Sequence, residues 1–144
     1  MKTIRDLFVQ MKSLLLILSF ALLSNYASSQ TDTNSNNKDP LNLGIVLYTK
    51  SYIPGTLFAI SNYANISNGT GIATGGPKTG SFIGTYHIRY FNETGEFLGE
   101  YDLVIEKTGD FYDVSWLTDG KVTAKGVGIE VENGLAVAWS RVAD

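Results

Sequence analysis

From residue 41 to the end of the chain, apolar and polar residues alternate with a period of two, and turn-forming residues interrupt the alternation at short intervals. Successive side chains of a strand point to opposite faces, whereas a helix repeats about every 3.6 residues. The pattern therefore predicts short strands joined by tight turns. In "TYHIRYF" (85–91), Tyr86, Ile88 and Tyr90 stand against His87 and Arg89; "EYDLVIEK" (100–107) sets Tyr101, Leu103 and Ile105 against Asp102 and Glu106. "FYDVSW" (111–116) aligns Tyr112, Val114 and Trp116, and Asp119-Gly120 supplies a two-residue turn tolerant of positive φ. "VTAKGVGIEVE" (122–132) meets Asn133-Gly134, a strong hairpin signal, before "LAVAWSRV" (135–142). Towards the N-terminus, "GIVLYTK" (44–50), "TLFAISNY" (56–63) and "GTGIAT" (69–74) keep the same rhythm.

These segments add up to an all-β fold: a single antiparallel meander of about eight strands, long enough to close into a small β-barrel and leave no edge exposed. "GTGI" at 69–72 returns as "GVGI" at 126–129, the spacing expected of two four-stranded halves.

The first 29 residues have another character. Lys2, Arg5 and Lys12 precede the apolar run "LLLILSFALL", which ends in small residues, as in a cleaved secretory signal peptide. That run is about half the length a membrane-crossing helix needs. Residues 30–40 contain "TDTNSNNKDP", too polar to offset the entropy of ordering, and read as a flexible leader to a domain spanning 41–144. A secreted or periplasmic protein without a membrane anchor is expected. Loss of the signal peptide, with its three basic and one acidic residues, takes the formal charge from −3 to −5, which disfavours nucleic acid as a partner. The chain has no cysteine, so the domain has to be held by its core alone.

"GTGIATGGPKTGSFIG" (69–84) looks at first like a phosphate-binding loop. Such a loop needs its second glycine directly before Lys and Ser or Thr, with consecutive amides pointing inward and a helix starting at once. Pro77 breaks that order and removes an amide, and a β pattern follows, so strand and turn are expected. Catalytic and metal signatures are equally weak. His87 is the single histidine and stands on the polar side of its strand, no G-x-S-x-G elbow occurs, and the acids fall at turns or on solvated faces. We assign no catalytic residue, no metal ligand and no cofactor. Sequons occur at Asn65, Asn68 and Asn92.

The aromatic residues are the informative set. Tyr86, Tyr90, Tyr101, Tyr112, Trp116 and Trp139 share one alternation class on successive strands and would converge inside a barrel. There they either fill the interior or wall a cavity for a small apolar or amphipathic ligand. Ala124, Gly126 and Gly128, with Ala136, Ala138 and Ser140 on the next strand, form a second set of small residues. They fit either a bare outer face for a homo-oligomer or an inward face that relieves crowding. An isomerase or cyclase acting inside the barrel would need His87, Arg89 or a carboxylate turned inward.

Hairpin-linked strands with alternating aromatics over 41–144 resemble the avidin and lipocalin type of secreted barrel, which implies ligand binding inside the barrel. The Gly-Thr-Trp opening of the avidins is missing, so biotin is not implied. Gly109 to Trp116, a G-D-x-Y-x-V-x-W strand, followed by Gly126 to Ile129, is similar to small secreted bacterial domains with no activity attached. The glycine-rich 69–82 stretch more distantly resembles barrels of the dirigent and allene oxide cyclase kind. The expected function is a secreted, non-enzymatic barrel that binds a small ligand, with an interaction module using its outer sheet as the alternative.

Overall fold

Eight strands follow one another around a closed ring: β1 (Gly44–Lys50), β2 (Leu57–Tyr63), β3 (Ser67–Thr74), β4 (Gly84–Asn92), β5 (Phe97–Thr108), β6 (Phe111–Thr118), β7 (Lys121–Val131) and β8 (Gly134–Arg141). The structure, a computed structural model, describes residues 41–64 and 66–143. The predicted signal peptide (1–29), the polar leader (30–40) and the Asn65 sequon lie outside the described residues. Every strand pairs antiparallel with its neighbour in sequence, and β8 returns to β1 through pairs running from Gly44↔Trp139 to Tyr48↔Leu135. The predicted all-β meander and its closure are both present, with no helix among the described residues.

Turn chemistry explains the hairpins locally. Asp119 and Gly120 have φ of 50° and 77°, the left-handed pair that matches the twist of the flanking strands. The β7–β8 hairpin differs by one residue from expectation. Val131 pairs with Gly134, so its loop residues are Glu132 and Asn133. Gly134 belongs to the strand, where a Cβ would lie 2.4 Å from the Tyr48 carbonyl oxygen. Its role is to let β1 come close.

The "GTGIATGGPKTGSFIG" stretch resolves into β3, a connection over 75–83 and the first residue of β4. The connection crosses one end of the barrel and closes it. Phe82 is buried there, the Tyr86 hydroxyl donates to the Phe82 carbonyl at 3.0 Å, and the Gly76 amide donates to the Gly55 carbonyl at 3.0 Å. Gly76 is required by the ring beneath it, since a Cβ would fall 1.9 Å from Tyr86 Cε1. The glycines that mimic a phosphate loop make room for an aromatic plug.

Inside the wall, large rings sit opposite glycines. Tyr90 is paired with Gly71 on β3 and Gly99 on β5, and Trp139 with Gly44 on β1 and Gly126 on β7. The two glycine strands β3 and β7, which carry the recurring G-x-G-I, stand four places apart in the ring of eight and so face each other across it. The small residues of the last two strands do not share a face. Ala124, Gly126 and Gly128 line the interior beside Val137 and Trp139, while Ala136 and Ala138 look outward beside Ile129 and Val127. Antiparallel register, not composition, separates them. A Cβ on Gly126 would lie 2.7 Å from the Ala138 carbonyl oxygen and 3.0 Å from Trp139 Cβ. Gly126→Ala is therefore expected to destabilise the barrel by about 1–3 kcal/mol, read from the urea midpoint.

Candidate functional site

The two ends of the barrel differ. At the end closed by the 75–83 connection, Phe82 and the rings of Tyr86 and Tyr112 are buried. Tyr112 donates to Glu130 at 2.5 Å, and Lys50 stands 4.2 Å from the Phe82 ring centre and 4.0 Å from Glu130. The opposite end, where β2, β4, β6 and β8 finish, opens into a cup of about 550 Å³. Tyr63, Tyr90, Tyr101, Trp116 and Trp139 supply its aromatic wall, with Asn62, Asn68 and Arg141 at the rim.

Four of the six aromatic residues singled out from the sequence meet in this cup: Tyr90, Tyr101, Trp116 and Trp139. Tyr86 and Tyr112 face inward as expected but lie at the plugged end, away from the cup. Alternation tells which face a residue takes; height along the barrel comes from the stagger between strands.

Two tyrosines outside the predicted set complete the arrangement. The Tyr48 hydroxyl lies 2.9 Å from that of Tyr90, which also accepts a hydrogen bond from Trp116 Nε1 at 3.0 Å. This chain spans β1, β4 and β6 and forms the floor of the cup. Tyr63 stacks on Trp139 with ring centres 5.1 Å apart, and Trp139 tilts against Trp116 at 5.8 Å. Neither tyrosine was legible as a site residue, because on β1 and β2 both alternation classes are apolar. Tyr101 meets Tyr90 edge-on at 6.2 Å. Among the described residues, neither the Tyr101 hydroxyl nor Trp139 Nε1 has a hydrogen-bond partner, so the wall keeps two donors available.

At the rim, the Arg141 guanidinium packs over the Tyr63 ring at 4.6 Å and has no ion-pair partner among the described residues. Its backbone is held by Asn42, whose Oδ1 accepts from the Arg141 amide at 2.9 Å and whose Nδ2 donates to its carbonyl at 3.0 Å. That clamp extends the β1–β8 seam past its last ladder pair. Asn62 donates to Asn68, which donates to Glu93, each at 2.9 Å, so the rim amides are already ordered.

His87 and Arg89 stand on the outer wall near Glu100, and no charged side chain is buried among the described residues. His87 and Arg89 thus do not turn inward, and among the described residues no carboxylate is buried. Among the described residues, no group of three His, Cys, Asp or Glu side chains could hold a metal ion.

The floor is electrically neutral over the physiological range. Burial pushes the Tyr48 phenol well above its ordinary value, with Tyr90 adding to the shift. Burial also raises Tyr90 to about 12, against the hydrogen bonds from Tyr48 and Trp116. At the plugged end, the hydrogen bond to Glu130 raises Tyr112, with burial assisting.

No protein-family model, curated protein or solved structure was found to match this chain. What the strand pairing shows is the closed eight-stranded barrel itself.

An unfolded tyrosine ionises near 10, and folded Tyr90 at about 12. Between those values the unfolded chain sheds a proton that the folded one keeps, so the stabilisation is whole below pH 10 and lost as pH rises towards 12. Tyr90 alone accounts for a loss on the order of 2–3 kcal/mol. Urea midpoints should fall across this range. Tyr90→Phe should cost about 1–3 kcal/mol at neutral pH, because Tyr48 and Trp116 lose a partner, and should show a shallower alkaline decline.

Proposed function

We propose that the protein is a secreted binding protein that holds a small amphipathic molecule in the open cup. The observation that carries this reading is the asymmetry of the barrel. One end is plugged by Phe82, while the other keeps an aromatic-walled space of about 550 Å³, within the size range of small-molecule sites. The apolar part of the ligand would lie between Tyr101 and Trp139. Its polar part would reach the donors that the wall and rim leave available, Trp139 Nε1, Tyr101 and Arg141.

The indole of Trp116 forms part of the floor and that of Trp139 part of the wall, so binding has an intrinsic reporter. Titration with dodecanoate and with anilinonaphthalene sulfonate is expected to shift tryptophan emission and raise the melting temperature. At a ligand concentration a hundredfold above its dissociation constant, stabilisation amounts to about 2.7 kcal/mol. Trp139→Ala should weaken binding by roughly tenfold or more, since lost ring burial is worth at least about 1.4 kcal/mol. Phe82→Leu at the plugged end should leave affinity unchanged. Unaltered emission with both probes, and with a wider set of lipids and aromatic acids, would count against the cup as a binding site.

A further inference from the structure

The outer wall carries two chemistries. On β4 and β5 it is charged and hydrated: His87 lies 3.5 Å from Glu100 and 3.7 Å from Asp102, and Arg89 lies 3.6 Å from Glu100. From β7 through β8 and β1 to β2 the central outward positions are apolar, with Lys125, Ser140, Thr49 and Asn62 at the ends of the rows, and on β3 only Ile72 among Asn68, Thr70, Ile72 and Thr74 continues them. Ile60 is 67 % exposed, Ile45 57 %, Val127 56 % and Ile129 51 %. Register sets these side chains in rows. Val127, Ala138 and Ile45 lie side by side, and Ile129, Ala136, Leu47 and Ile60 form the next row. Lys125 stands at one edge and no acidic side chain interrupts the rows.

We propose that this apolar half-wall pairs with the same half-wall of a second copy of the chain. Three observations favour a copy of itself. First, the surface has matching relief: Ala136 and Ala138 on β8 form a trough between the ridge of Val127 and Ile129 and the ridge of Ile45 and Leu47. A two-fold axis between β8 and β1 lays the β1 ridge of each copy into the β8 trough of the other, so one rotation makes both contacts. Second, the four strands β7, β8, β1 and β2, about 4.8 Å apart with an apolar band roughly five residues tall, project on the order of 300 Å² per copy. A pair then covers about 600 Å², below the roughly 1,200 Å² of stable specific interfaces, which fits only a weak dimer that dissociates on dilution. Third, the charges disfavour lipid as the occupant. The formal charge of −3 opposes an anionic surface, and the charged, hydrated wall of β4 and β5 prevents lipid from surrounding the barrel.

Sedimentation velocity of the purified protein from low micromolar to near-millimolar concentration tests the proposal. The mass is expected to rise from one chain to two. Ala138→Arg, which fills the trough, and Ile60→Lys, on the flank, should each hold the mass at one chain while the circular dichroism spectrum and thermal melt stay those of the parent. Glu100→Lys on the hydrated half should leave association intact. A parent that stays a single chain at the highest concentration overturns the proposal, as does association that survives both apolar-face substitutions. A monomer that sediments with phosphatidylcholine vesicles, and stops doing so on Ile60→Lys, also overturns it by giving the face to lipid.

Discussion

The interior of this barrel is governed by volume. Eight strands enclose a space just wide enough for side chains to fill, and this chain puts several of its largest rings there. Tyr90 fits because Gly71 stands beside it on the neighbouring strand, and Trp139 because Gly44 does. Each pairing lays a ring over the neighbouring strand at a position with no side chain in its way. The glycines, costly in a strand for entropic reasons, are accepted for the space they leave. Since both rings also line the cup, the same constraint that lets the barrel close determines the shape of its open end.

That end differs from the other through connection length. The hairpins at the cup end are short, and the rim is ordered by side-chain hydrogen bonds among Asn62, Asn68 and Glu93. At the opposite end the 75–83 connection is long enough to turn inward and bury Phe82 over Tyr86. A filled floor and an open mouth follow. The hydrogen-bonded chain of Tyr48, Tyr90 and Trp116 separates the two regions, and it places neutral polar groups, rather than charge, at the bottom of the cup. Under the proposed binding role, such a surface would suit a ligand whose buried part is uncharged, with Arg141 at the rim to meet a polar head.

Much of this is legible in the linear pattern, for reasons that are local. Strand alternation, the Asp119-Gly120 turn and the proline that spoils the phosphate loop all act within a few residues, and they led to the strands, the meander and the shared inward face of Tyr90, Tyr101, Trp116 and Trp139. The misplaced details are non-local. Tyr86 and Tyr112 share the inward face but lie at the plugged end, because height depends on stagger. Tyr48 and Tyr63 stayed hidden because Ile45, Leu47, Phe58 and Ile60 make the outer class of β1 and β2 as apolar as the inner one. Hydrophobicity alone cannot choose between two greasy faces. The split of the small residues, with Gly126 inside and Ala138 outside, depended on a register that no single strand contains.

The sequence by itself determined that the chain alternates side by side and turns at short intervals, because strand periodicity and turn propensity are properties of neighbouring residues. Only the tertiary structure decided which side is inside, at what height each ring sits and that one end is plugged while the other stays open. Those outcomes depend on β8 meeting β1 across the whole chain, and closure sets curvature, stagger and interior volume together.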